Sequence, residues 1–297
     1  MDIQIVDVGA RDGLQNEPDA ANLSAETKVE FIKRLVAAGL KRIEAGSFVK
    51  PSAVPAMANS AEVADALKPV QAAHPEVIFS YLVPNIKGLE RAKAIDAKEI
   101  AIFLAVSPKF AKDNINAPSV DQSFADVMPT VEAALAAGIR VRGYLSTIFG
   151  YSDMPFTPDE VAKRTKQLLD MGCYEASLGD TTGIGTPDKV EQLIAALKKA
   201  GVPLAKVAMH FHDTFGNAIQ NVDKSYELGI RTFDASTGGL GGCPYANSPK
   251  GNLNMADLVG WCKKRGLTCD VADLGKLEHA ASFMLHKLGK SQTGSAA

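Results

Sequence analysis

Val207-Ala208-Met209-His210-Phe211-His212-Asp213 sets apolar Val207, Met209 and Phe211 in alternation with Ala208, His210 and His212. This period-two spacing predicts a β-strand over 206–212, because successive strand side chains point to opposite faces. Both histidines then share one face and the bulky residues the other. Two positions along a strand lie about 6.6 Å apart, so both imidazoles can turn to one ion through bonds of about 2.1 Å. An ordinary pair of core or surface histidines is the simpler alternative, and the strand alone does not separate the two. The polar turn Asp213-Thr214-Phe215-Gly216 that follows favours a site at the strand's end.

Short apolar segments of the same kind recur on both sides of this strand, at 3–9, 42–46, 77–83, 99–105, 140–147, 174–178 and 232–236. Helical patterns alternate with them, near 25–38, 59–68, 86–95, 121–137, 157–171, 186–200, 215–228 and 255–265. Ser24, Thr157-Pro158 and Thr186-Pro187 supply helix starts, and Gly39, Gly138, Gly172, Gly201 and Gly229 fall where helix C-terminal caps belong. Eight strand–helix alternations without a linker predict an α/β fold, a (β/α)₈ TIM barrel, rather than an open doubly wound sheet. Residues 270–288 read as an extra amphipathic helix on the barrel. One catalytic domain is therefore expected over 1–290, followed by a disordered tail over 291–297.

Composition agrees with a large core: 46% hydrophobic and 22% charged residues in a chain of 297. A net charge of −2 gives no reason to expect nucleic acid or a membrane surface as partner. The chain enters its first strand at Ile3, so no signal or transit peptide is expected. Cys173, Cys243, Cys262 and Cys269 form no CxxC pair and read as reduced thiols of a cytoplasmic protein.

A barrel of this kind gathers its chemistry in the loops after the strands. Strand 1 ends in Arg11-Asp12-Gly13-Leu14-Gln15-Asn16-Glu17, a dense polar set or else a solvated turn. Glu44 lies in an apolar strand and needs a partner, for which Arg11 is the natural candidate. Arg142 is a second charge in a core strand, and a purely internal ion pair is its alternative. Asp180 follows Ser177-Leu178-Gly179, at the expected mouth or in a helix-entry turn. Gly238-Gly239-Leu240-Gly241-Gly242-Cys243 reads as a hinged loop carrying a thiol, which suits an acid or base delivered by a closing lid, or as a connector with an incidental cysteine. Asn254 is the better N-cap of the next helix, with Asp257 three residues on, so the Asn252 oxygen is left to coordinate. Asp12, His210, His212 and Asn252 thus form a nitrogen and oxygen set from three adjacent strand ends, and a metal site is predicted there.

With these residues placed, the chain resembles the 3-hydroxy-3-methylglutaryl-CoA lyases, within a wider group of metal-dependent barrel lyases and Claisen-condensing enzymes. The resemblance rests on Arg11 to Glu17, Ser47-Phe48-Val49, Val54-Pro55, Asn114-Ile115-Asn116, Arg142-Gly143-Tyr144, Ser177 to Thr181, Gly185-Thr186-Pro187, His210 to Asp213, and Gly239 to Ala246. It covers almost the whole barrel, and the glycine-rich cysteine loop is its most specific part. The resemblance implies that Asp12, His210, His212 and Asn252 bind Mg²⁺ or Mn²⁺, and that Arg11 stabilises a thioester oxyanion. It further implies that Glu44 orients Arg11, that Cys243 donates a proton, and that Asp180 and His210 take part in proton transfer. Arg142, Asn116 and Gln15 are expected to bind the acyl-CoA substrate of a homodimeric enzyme.

Two departures bear on specificity. Ala10 replaces a proline common in the family, and Phe149-Gly150-Tyr151-Ser152-Asp153-Met154-Pro155 stands where a cysteine-proline-tyrosine block is usual. The acyl substituent at C3 is therefore open, and a lyase for citramalyl-CoA or a longer-branched glutaryl-CoA is an alternative. A transferase condensing acetyl-CoA with a 2-oxo acid is another, although such enzymes lack the cysteine loop and carry more sequence beyond the barrel. A non-catalytic binding protein is the third.

Overall fold

Alternating apolar residues carry all eight expected segments into parallel ladders in the computed structural model, which describes residues 1–152, 154–241 and 251–290. The strands are β1 (Gln4–Asp7), β2 (Arg42–Ser47), β3 (Ile78–Leu82), β4 (Glu99–Ala105), β5 (Arg140–Ser146), β6 (Glu175–Asp180), β7 (Val207–Phe211) and β8 (Thr232–Ala235). They close in chain order, with β1 paired to β8 from Gln4↔Thr232 to Asp7↔Ala235. The fold is a TIM barrel.

Helices α1 (Ala25–Ala37), α2 (Ser60–Ala73) and α3 (Ile86–Ala94) follow the first three strands. After β4 come two, α4 (Pro108–Ile115) and α5 (Val120–Ala136), and then α6 (Pro158–Asp170), α7 (Pro187–Lys199), α8 (Ala218–Leu228) and α9 (Met255–Arg265). Ser24 and Thr186 accept backbone N–H groups at their helix starts as expected, whereas Thr157 starts α6 without a side-chain bond. The short α4 was not expected. Ser107 caps it, Pro108 opens it, and Phe110 and Ala111 hold it down, while Asn116 ends it at φ 52°.

The added helix is α10 (Leu274–Lys287). It buries Leu277, Ala280, Met284 and Leu285, and Arg34 of α1 lies over the Phe283 ring at 4.4 Å. Its C-terminal neighbour Lys290 pairs with Glu17, behind the turn that follows β1. Among the described residues, no helix is long and apolar enough to cross a membrane. The tail from Ser291 onward and Cys243 lie outside the described residues.

Val207, Met209 and Phe211 are buried against the helices, so His210 faces the barrel axis, as the alternation requires. The barrel interior is unusually polar. Arg142 and Tyr144 of β5 meet Asp234 of β8 and Glu44 of β2 across it.

Candidate active site

His210 and His212 lie on one side of β7, and the turn Gly9–Gly13 after β1 brings Asp12 to them. Ligand atoms of Asp12, His210 and His212 all fall within 4.8 Å of one another. His212 also forms a backbone bridge with Asn252, which delivers the fourth predicted group. Asn252 donates its Nδ2 to Asp12 Oδ2 at 2.8 Å and to the Leu240 carbonyl at 3.1 Å. Its Oδ1 is buried without a partner, while Asn254 caps α9 as expected. An orphaned amide oxygen beside two imidazoles and a carboxylate fits a divalent cation, which accepts mixed oxygen and nitrogen donors. Burial holds His212 down to about 4, so its imidazole is neutral and able to coordinate at pH 7.

Arg11 is 3% exposed and reaches Glu44 Oε2 through Nε at 2.7 Å, the pairing expected from the buried carboxylate. It also donates to Asp12 Oδ1 at 2.7 Å, and Gln15 Nε2 shares that oxygen at 2.7 Å. Burial disfavours the guanidinium charge, but Glu44 and Asp12 outweigh it and keep Arg11 protonated. Tyr144 donates its hydroxyl to Glu44 Oε2 at 3.1 Å, so the arginine's partner is itself held. Arg11, Asp12, Gln15, His210 and His212 line one side of a cavity of about 430 Å³. Val54, Leu82, Phe103, Phe110 and Ile115 give the cavity an apolar component. One wall can stabilise negative charge on oxygen, and the rest can take an acyl chain.

The family model described as HMGL-like matches residues 2–284. The chain belongs to the HMGL-like family. It is 43% identical to the mitochondrial hydroxymethylglutaryl-CoA lyase of Arabidopsis thaliana, over 99% of this chain and 61% of that one. It therefore spans less than two thirds of the plant protein. A hydroxymethylglutaryl-CoA lyase structure from Pseudomonas aeruginosa superposes with a TM-score of 0.93 at 41% identity, covering 98% of this chain and 95% of that chain. An HMG-CoA lyase from Acinetobacter baumannii, in complex with coenzyme A and 3-methylmalate, gives 0.89 at 32% identity, over 99% and 93%.

In this HMGL-like barrel Asp180, Arg142 and Asn116 do not line the cavity, and neither do Glu44, which holds Arg11, and Asn252, which bonds Asp12. β6 runs on to Asp180, and alternation makes Gly179 and Thr181 line the cavity while Asp180 turns behind them. There its Oδ2 accepts the Gly185 N–H at 2.9 Å, and burial pushes the carboxyl up to about 7 against the turn N–H groups of Gly185, Ile184 and Gly183. Arg142 is 1% exposed and forms the internal ion pairs that were its alternative, with Asp234 and Glu175 at 2.7 Å each. Asn116 is exposed at the end of α4, and Asn114 of the same helix lines the cavity instead. Cys243 is not described, but Gly241, two residues before it, lines the cavity.

Sequence reasoning missed Asp234, Tyr144 and Ser177 as parts of the site. Asp234 Oδ2 lies 3.3 Å from His210 Nδ1. The signal was present: Asp234 is a charge in a buried strand, the same anomaly that singled out Glu44 and Arg142.

Proposed function

We propose that this chain cleaves 3-hydroxy-3-methylglutaryl-CoA to acetoacetate and acetyl-CoA by a metal-assisted retro-Claisen reaction. The carrying observation is Arg11 standing beside Asp12, His210 and His212 at the wall of one cavity, with Asn252 bonded to Asp12. Asp12, His210, His212 and Asn252 would hold Mg²⁺ or Mn²⁺, which supplies Lewis-acid polarisation of substrate oxygens when bound. Arg11, fixed by Glu44 and Gln15, donates to the thioester oxygen as charge develops there. The C3 hydroxyl loses its proton, the C2–C3 bond breaks, C3 becomes the ketone of acetoacetate, and the electron pair passes to C2 of the acetyl-CoA enolate. Cys243, two residues after Gly241 in the sequence, protonates that carbon. Asp180, poised at about 7, is matched to proton transfer but turns from the cavity, so direct contact with substrate requires the turn after β6 to move.

The apolar surface of Phe103, Phe110 and Ile115 supports an acyl-CoA ligand over a charged metabolite alone. The unpaired thiols Cys173, Cys262 and Cys269 support a reducing compartment, which we take as the cytoplasm. Residues 1–290 would act as one catalytic domain, working as a homodimer. The test is incubation with a panel of 3-hydroxyacyl-CoA thioesters and mass spectrometry of the products. Acetoacetate and acetyl-CoA from the methylglutaryl thioester are expected. Preferential cleavage of a citramalyl or longer-branched thioester, or condensation of acetyl-CoA with a 2-oxo acid, would replace this reading.

A further inference from the structure

Asp234 sits in β8 opposite His210 of β7, the two being register partners whose side chains both point into the barrel. Its carboxylate collects donors on every side. Arg142 reaches Oδ1 at 2.7 Å and Oδ2 at 3.1 Å, Ser177 Oγ donates to Oδ2 at 2.7 Å, and His210 Nδ1 lies 3.3 Å from Oδ2. Arg142 also donates to Glu175 Oε1 at 2.7 Å, and Arg42 donates to Oε1 and Oε2 of the same glutamate at 2.7 and 3.2 Å. Two carboxylates and two guanidiniums therefore alternate along the barrel interior, so their formal charges cancel where an unpaired charge would be severely penalised.

We infer that Asp234 is a positioning residue: it accepts the Nδ1–H of His210, fixes that tautomer, and leaves Nε2 with a free lone pair for the cation. The inference rests on the metal-dependent reading above. A neutral imidazole carries one proton, and only the nitrogen without it can coordinate. Nε2 is the nitrogen that faces the cluster, 3.9 Å from Asp12 Oδ2. Asp234, saturated by Arg142 and Ser177, offers His210 an acceptor and no donor, so the proton belongs on Nδ1. Carboxylate partners of this kind raise the affinity of a histidine for metal. Arg142 then acts through Asp234, which explains a buried guanidinium that lines no part of the cavity.

The test uses the full chain, Mn²⁺ calorimetry, and imidazole ¹⁵N spectra of the metal-free protein to read the His210 tautomer. In Asp234→Asn, Arg142 claims the amide oxygen and the amide N–H₂ faces Nδ1, which drives the His210 proton to Nε2. Mn²⁺ affinity should fall by about 10–100-fold, with the tautomer reversed. Because that change leaves Arg142 uncompensated, Asp234→Asn is also combined with Arg142→Gln, which restores neutrality and keeps the Glu175–Arg42 pair. The double variant should fold by circular dichroism and still bind Mn²⁺ weakly with the reversed tautomer. Parent-like affinity and tautomer in either folded variant overturns the positioning role, and so does failure of both to fold, which would make the array a stability element. A parent chain that binds no Mn²⁺ overturns the cation reading and this role with it. A tightly binding parent beside equally tight variants overturns the positioning role alone.

Discussion

Arg11 contributes its charge by being immobile before substrate arrives, since Glu44, Asp12 and Gln15 take its N–H groups at 2.7 to 3.4 Å. Arg11→Met should leave the fold intact and lower kcat by roughly 10²-fold or more, the scale of removing one preorganised oxyanion donor. Steady-state kinetics beside a circular dichroism melt checks both halves, and a kcat within a few-fold of the parent would refute the role. His212 offers the cluster a neutral imidazole, so His212→Ala should abolish most Mn²⁺ binding in calorimetry, and parent-like binding would remove it from the ligand set. Asp180 gives a pH signature instead. Its carboxyl titrates near 7 when folded and near 3.8 otherwise, so the folded state retains the extra proton between those values. The parent should therefore lose stability relative to Asp180→Asn as pH rises from about 4 to about 7, with a constant gap above. Urea melts across that range test the sign, and a parent that gains stability relative to the variant as pH rises contradicts it.

Two turns meet at the cluster of Asp12, His210 and His212 and owe their approach to glycine. Gly241 stands at φ +97°, and a Cβ there would lie 2.6 Å from Asn252 Nδ2 and 3.1 Å from Gly13 Cα. No L side chain fits that backbone without displacing Asn252 or the turn after β1. Gly241→Ala should weaken Mn²⁺ affinity by about tenfold, the lower end of what a disturbed ligand shell loses. Calorimetry at unchanged far-ultraviolet circular dichroism separates this from unfolding, and unaltered affinity would show that the loop start does not position Asn252. Thr147 at the end of β5 is a second unusual backbone. It is a β-branched residue at φ 61°, bonded to Ser107 and Thr181 across neighbouring strand ends. These hydrogen bonds hold a conformation that the isolated residue avoids.

The barrel is tied together beyond its ring of strands by α10. Met284 is 0% exposed and Leu285 8%, and a Cβ on Gly238 would come within 3.6 Å of Leu285, so this helix backs the segment that follows β8. Met284→Ala should cost about 2–5 kcal/mol, the range for truncating a buried methionine in a packed core. Urea denaturation gives the number, and a loss below about 0.5 kcal/mol, the scale of a surface change, would mean that α10 rests on the barrel without supporting it. The Lys290–Glu17 pair then carries the same helix to the polar turn after β1.

Local spacing was enough for the eight strand frames, for the shared face of His210 and His212, and for the role of Asn254 as a cap that leaves Asn252 free. Each follows from periodicity or hydrogen bonding within a few residues. Glu44 with Arg11 was legible for a different reason: a carboxylate in an apolar strand needs a cation, and few were at hand. Asp180 was misplaced because β6 was read as ending at 178. Two more strand residues make it an alternating position behind the wall rather than a turn residue at the mouth. Asp234 and Arg142 lie 92 residues apart, on strands that do not pair with each other, and they meet only because the sheet closes on itself. Strand period is a property of a few consecutive residues. Which inward side chains face one another depends on strand number, tilt and stagger around the closed ring, and no short stretch of sequence contains that information.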